Sequence, residues 1–377
     1  MIEYIKDIAD CSDFEMGTKA KNIYTLMKDG RFFVPATLII TTDFFKEKIR
    51  PQIPKENTRF DWNKLKLPKD FEIELLKKIR TNFKDQPLVV RSSATCEDSP
   101  LISFAGQYST FLNIKTDKDI LTAVKLCFQS LYNKNARIYA RYSKVDLRGE
   151  SIAIAIQPVI AVSKSGVMFT ANPINSDLKE IIIEYGSGLG DKVVGGISVP
   201  DMVKVKRHSK TKELKFINKL TKIGIEIEKI FNNPQDIEWG IKGDKICIFQ
   251  SRPITTLNNL PTKIGIPKDV TLIANGEIIC MGQTIGELKI VTDQKQFKEI
   301  KKGDILFLKT KPNMELVEKI HKIRGLILCG GLLSHFAVIA REFSVPCLTQ
   351  LTKNNLEKYN GRKVFLDTIN KSLYILK

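Results

Sequence analysis

Apolar residues recur along this chain with two different spacings, and the change from one to the other lays out its elements. The stretch RGLILCGGLLSHFAVIAREFSVPC (324–347) opens on a short unbroken apolar run, turns at Gly330 and Gly331, then carries Phe336, Ile339, Ala340 and Phe343 at i, i+3, i+4 and i+7. That spacing predicts a strand, a turn and a helix with one apolar stripe, ended by Pro346. In DIEWGIKGDKICIFQSRPI (236–254), Ile237, Trp239 and Ile241 alternate with Asp236, Glu238 and Gly240, and Gln250 and Arg252 repeat the alternation on the way back. This predicts a hairpin with two carboxylates on one strand face, roughly 7 Å apart. A loop of three residues, Gly243-Asp244-Lys245, sets Glu238 against Gln250 and Asp236 against Arg252, whereas a two-residue turn shifts the register and separates them.

Strand-like and helix-like segments alternate over residues 1–256. The stretch TTLNNLPTKIGIPKD (255–269) has no sustained period and reads as a linker. A second unit begins with LIANGEIIC and GELKIV and closes with KVFLD and SLYIL. The expected division is therefore 1–256, a linker at 257–268, and 269–377, in a mixed α/β and α+β fold.

Composition removes several alternatives. The longest apolar candidate, SIAIAIQPVIAV from Ser151, is interrupted by Gln157 and Pro158 and falls short of the ~20 residues that span a bilayer. The N-terminus, MIEYIKDIADCSDFEMG, has acids where a signal peptide has a basic region, so a cytoplasmic protein without a membrane partner is expected. Seven cysteines, never spaced Cys-x-x-Cys, read as reduced and mostly buried. The net charge of +18 raises nucleic acid as a partner. Its lysines are spread along the whole chain, however, and the aromatics sit in apolar runs. Neither arrangement makes a stacking platform, so no nucleic-acid partner is expected. His208, in KVKRHSKTK, and His321 read as surface residues.

Three segments carry chemistry. The predicted helix after Gly330-Gly331 places Ser334 and His335 at its N-terminus, where unpaired N–H groups and the macrodipole favour a neutral, nucleophilic imidazole and stabilise an anion. The two glycines allow a phosphate to approach the backbone closely. In PLVVRSSATCEDSPLISFAGQYSTFLNI (87–114), a strand runs into a loop of Ser, Thr and Gly with Arg91 at its start. It is either a phosphate cradle or a polar surface loop with a solvated arginine. On the hairpin, Asp236, Glu238, Gln250 and Arg252 form either a Mg²⁺ and phosphate site or an exposed cross-strand ion pair.

The motif G-G-x-x-S-H-x-A-x-x-A-R-E around His335 resembles the phosphohistidine, swivelling domain of the phosphoenolpyruvate synthase, pyruvate phosphate dikinase and rifampin phosphotransferase family. GTKAKN at Gly17, VRSSATCED at Val90, SFAGQYSTFLN at Ser103, FTANP at Phe169, YGSGLGDKVVGG at Tyr185, DIEW and QSRP resemble the ATP-grasp domain of the same family, in its order. The resemblance covers nearly the whole chain. It implies an ATP-grasp domain followed by a β/β/α phosphohistidine domain, with ATP and Mg²⁺ phosphorylating His335 and releasing AMP and phosphate. By the same resemblance Lys19 and Arg91 contact ATP phosphates, and Glu238 and Gln250 hold Mg²⁺. Arg252 stabilises the transferring phosphate, and the backbone around Gln157–Ile160 meets the adenine. GTKAKN departs from the family's G-G-K-G-x-N at Thr18 and Ala20, and Leu333 stands where pyruvate phosphate dikinase has a regulatory threonine. Neither the pyruvate-binding barrel nor the drug-binding domain of the family is expected here. The acceptor is then a small molecule or lies on a separate subunit, as in a split synthase. A non-catalytic nucleotide-binding regulatory homologue is the competing expectation.

Overall fold

The computed structural model describes residues 3–54, 60–97, 108–133, 136–137, 140, 146–147, 149–188, 201–207, 209, 215–257, 263–310, 314–329, 335–353 and 355–377, with Met314 and His335 described by their backbone alone. Its contacts divide it into two units, 1–163 with 229–231 and 235–253, and 164–228 with 232–234 and 254–377.

In the first unit, strands β1 (Ile5–Asp7), β2 (Leu38–Ile40), β3 (Leu88–Ala94), β4 (Thr110–Ile114) and β5 (Ile152–Pro158) form an antiparallel sheet in the order β1-β2-β5-β3-β4. Helix α1 (Thr18–Asp29) packs Ala20 and Ile23 against Ile39, Ala153 and Ala155. The two small alanines of β5 let the helix approach the sheet closely. Helices α2 (Lys69–Phe83) and α3 (Asp117–Ser130) also belong to this unit.

Strands β9 (Gln235–Lys242) and β10 (Lys245–Pro253) make the predicted hairpin, but its turn is shorter than expected. Lys242 pairs with Lys245, so the turn is the two residues Gly243 and Asp244, with Gly243 at φ 58°. Primed two-residue turns need such a left-handed glycine, because their twist matches that of the strands. The register that this turn would have displaced is restored further along. Ile248 pairs with Trp239 and Gln250 with Glu238, leaving Phe249 as a β-bulge. An added Cβ at Gly240 would collide with the Phe249 ring, so the glycine opposite provides the space the bulged side chain fills. Glu238 opposite Gln250 and Asp236 opposite Arg252 are thus observed as expected, through a different device.

In the second unit, β6 (Lys164–Phe169), β7 (Glu180–Ser187) and β8 (Asp201–Lys206) are antiparallel neighbours. Helix α4 (Lys215–Phe231) lies against them, where Gly224 leaves room for Met168 and Thr170. The C-terminal part is an eight-stranded sheet of β11 (Val270–Asn275), β12 (Glu277–Cys280), β13 (Gln283–Val291), β14 (Asp304–Leu308), β15 (Gly325–Leu328), β16 (Cys347–Thr349), β17 (Lys363–Asp367) and β18 (Ser372–Leu376). The run β13-β14-β15-β16 is parallel, with α5 (Met314–Lys319) before β15 and α6 (His335–Glu342) between β15 and β16. Strands covered on both faces read as continuous apolar runs. Here Leu306, Leu308, Leu326 and Leu328 enter one core, and Ile305, Phe307 and Ile327 the other.

Among the described residues no helix is long and apolar enough to cross a membrane. The cysteines are free, with Cys11, Cys127, Cys247, Cys280 and Cys347 buried as expected.

Candidate functional site

Lys19 and Asn22 lie on the buried side of α1, in step with Ala20, Ile23 and Leu26. The helix begins at Gly17, which offers no capping side chain, because a Cβ there would overlap the Ser93 carbonyl. The cap comes instead from β3, where the Ser93 hydroxyl accepts the Ala20 N–H at 2.9 Å. Thr18 and Ala20, which stand at glycine positions of the family motif, have no left-handed backbone, so the departure is absorbed by an ordinary first turn. The Lys19 ammonium donates to Glu97 Oε1 at 2.6 Å, and Asn22 Nδ2 donates to the Ser251 carbonyl at 2.9 Å. Asn22 thereby ties α1 to β10 between Gln250 and Arg252.

Arg91 points from β3 to the hairpin. Its Nη2 donates to Gln250 Oε1 at 2.7 Å and lies 3.7 Å from Glu238 Oε2, while Nη1 donates to the Phe249 carbonyl at 3.3 Å. Its buried Nε has no hydrogen-bond partner among the described residues. Arg252 pairs with Asp236 across the hairpin, with Nη2 2.7 Å from Oδ2. The first unit therefore assembles Lys19, Arg91, Glu238, Gln250 and Arg252 from segments far apart in the chain. This excludes the solvated-arginine reading of Arg91, which is a buried residue. Gln157 is buried on β5, and its amide donates to Thr37 Oγ1 at 2.9 Å, with Ile160 half-buried just beyond the strand. Burial pushes the Cys96 thiol up to about 12.

In the second unit His335 is the first residue of α6, as the sequence predicts. Its side chain lies outside the described residues, as do Gly330, Gly331, Leu333, Ser334 and His208. The stripe of Phe336, Ile339 and Ala340 seats the helix on the core beneath, with Phe343 partly buried against it. Further along α6, Arg341 is buried with its guanidinium 6.0 Å over the Phe169 ring of β6. Glu184 on β7 is raised to about 7 by burial, an effect that Arg341 partly offsets. His321 is exposed, in the turn after α5.

Glu97, Ser93, Asn22 and Ser251 were not singled out from the sequence. For Asn22 a signal existed, since Lys19 and Asn22 share the helical phase of the apolar residues. Glu97 lies in the turn after β3, outside any periodic segment, and the position of Lys19 reveals it.

Residues 14–219 and 209–268 match the family model described as pyruvate phosphate dikinase, AMP/ATP-binding domain, and residues 300–371 match that of the PEP-utilising enzyme, mobile domain. Of the similar proteins, one from Archaeoglobus fulgidus named "Probable phosphoenolpyruvate synthase" is 34% identical over 308 residues, covering 70% of this chain and 40% of its own length. The phosphoenolpyruvate synthase of Pyrococcus furiosus is 30% identical over 326 residues, covering 74% of this chain and 40% of its own. A rifampicin phosphotransferase of Bacillus cereus is 39% identical over 205 residues, 46% of this chain and 24% of that protein. The chain spans about 40% of the length of the phosphoenolpyruvate synthases it matches.

Proposed function

We propose, from the premise that this chain belongs to the pyruvate phosphate dikinase AMP/ATP-binding family, that it binds ATP within residues 1–256 and transfers a phosphoryl group to His335. In this reading residues 1–256 form the nucleotide-binding part, 257–268 a hinge, and 269–377 the phosphohistidine part. The observation that carries it is the single Arg91 nitrogen that reaches both Gln250 Oε1 and Glu238 Oε2. A cation and two oxygen ligands meet there without a hydrophobic reason to do so.

The donor set suits both ligands. Lys19 and Arg91 face a triphosphate with an ammonium and a planar fork. Mg²⁺ takes one or two carboxylates and completes its shell with phosphate and water. Among the described residues no group of three or more His, Cys, Asp or Glu is placed to hold a metal ion. Glu238 with the Gln250 amide oxygen is the kind of sparse protein set that magnesium accepts, and the bound ion would supply charge neutralisation between phosphates. Arg252 stabilises charge on the transferring group. The backbone near Gln157–Ile160 borders the adenine.

His335, the first residue of α6, is the nucleophile. In overall balance His335, ATP and water give phosphohistidine, AMP and inorganic phosphate. The group then passes to an acceptor that is a small molecule or is presented by a separate polypeptide.

Incubation with ATP and Mg²⁺, followed by ³¹P NMR, is expected to show AMP and phosphate together with acid-labile protein labelling that His335→Ala abolishes. Repeating it with a panel of acceptors identifies the one that discharges the label. ADP as sole nucleotide product overturns the dikinase reading. Nucleotide binding without any labelling favours the regulatory homologue instead.

A further inference from the structure

Each cation assigned to phosphate above is matched by a carboxylate: Lys19 by Glu97 at 2.6 Å, Arg252 by Asp236 at 2.7 Å, and Arg91 by Glu238 at 3.7 Å. Asp236 and Glu238 lie on the hairpin, and Glu238 already has a role toward the metal. Glu97 comes from the turn after β3 and is the most enclosed of the three, with its side chain 3% exposed against 8% and 32%. Nothing in the reaction as outlined uses it.

We propose that Glu97 is a positioning residue that holds the Lys19 side chain extended toward the phosphate site, an inference that rests on the nucleotide reading above. Lysine is a flexible four-carbon stem, and fixing such a side chain costs rotamer freedom. Lys19 also sits on the buried face of α1, where an ammonium without a counter-charge is strongly disfavoured. Glu97 answers both needs. One of its oxygens accepts one N–H of the ammonium, and lysine has three, so two remain to meet an anion.

The carboxylate is itself placed by β3. Glu97 N–H closes a turn onto the Ala94 carbonyl at 3.4 Å, and Glu97 Oε2 faces the Ala94 N–H at 3.5 Å. The same strand presents Arg91 and the Ser93 hydroxyl that caps α1. One strand and its turn therefore set the start of the helix, the lysine on it and the neighbouring arginine together. Preorganisation of this kind shows as affinity, because ordering is complete before the ligand arrives.

The test is calorimetric titration of the full chain with Mg²⁺ and a non-hydrolysable ATP analogue, alongside the KM and kcat of ATP-dependent labelling. Glu97→Ala is expected to weaken binding about tenfold, the equivalent of roughly 1.4 kcal/mol of lost preorganisation. The loss should fall mainly in KM, and Glu97→Asp should recover most of it. Lys19→Met and the double variant Lys19→Met/Glu97→Ala should bind equally poorly, since Glu97 acts through Lys19. Should Glu97→Ala fail to fold, the double variant, which removes both charges, and the isosteric Glu97→Gln still decide the matter. Additive losses in the double variant, or binding by Glu97→Ala within twofold of wild type, overturn the proposal alone. A wild-type chain that does not bind the analogue overturns the nucleotide reading, and this inference with it.

Discussion

Glu97 in the first unit and Glu184 in the second are shut away from solvent to the same degree, each 2% exposed, and they are provided for differently. Glu97 meets an ammonium at 2.6 Å. Glu184 has the Arg341 guanidinium in its field but, among the described residues, no ion pair of its own, and burial raises it to about 7. The difference teaches that burial alone turns a carboxylate into a proton holder near neutral pH. A counter-charge in contact is what allows a fixed charge in the interior. The first unit sets a buried carboxylate against an ammonium, whereas β7 holds one that burial raises to about 7.

The largest expected effect comes from breaking the paired side. Glu97→Ala strands the Lys19 charge and should lower stability in urea unfolding by about 3–5 kcal/mol, most of which Lys19→Met/Glu97→Ala should restore. Equal losses in the single and double variants would remove the contrast with Glu184. Next in size is Glu184→Gln. The Glu184 carboxyl holds its proton more tightly in the folded chain than in the unfolded one. Stability is therefore full below pH about 4.5 and declines as pH rises to about 7, by about 3 kcal/mol in all. Thermal unfolding across pH 4 to 8 should show Glu184→Gln losing this decline and exceeding wild type at pH 8. An unchanged slope would mean that Glu184 is not the group responsible. The smallest effect sharpens how much of the Lys19 arrangement rests on neutral hydrogen bonds. Ser93→Ala removes the cap of α1 and should cost about 1 kcal/mol by the same denaturation assay.

The elements with strong periodicity are legible in the sequence. The α6 stripe, the hairpin alternation and the terminal strands KVFLD and SLYIL appear where their spacing puts them. Arg91, Glu238 and Gln250, drawn together by resemblance, are brought into contact by β3 and the hairpin. What escaped the sequence was of two kinds. The hairpin register depends on where an extra residue is accommodated, and periodicity cannot distinguish a longer turn from a bulge at Phe249. Glu97 and the Ser93 cap depend on which distant segment lies opposite, a tertiary fact that leaves no periodic trace. Polar residues on an otherwise apolar helix phase, as Lys19 and Asn22 are, were the trace that could have been followed further.

The bulge at Phe249 has an evolutionary consequence. Opposition of Glu238 and Gln250 survives only when the length of the turn and the length of the return strand are counted together. A related chain that gains a residue in its turn keeps the same partners by losing one near position 249, so insertions and deletions at these two places should occur as compensated pairs. Either change alone would put the Gln250 amide and the Glu238 carboxylate on opposite faces of the ribbon.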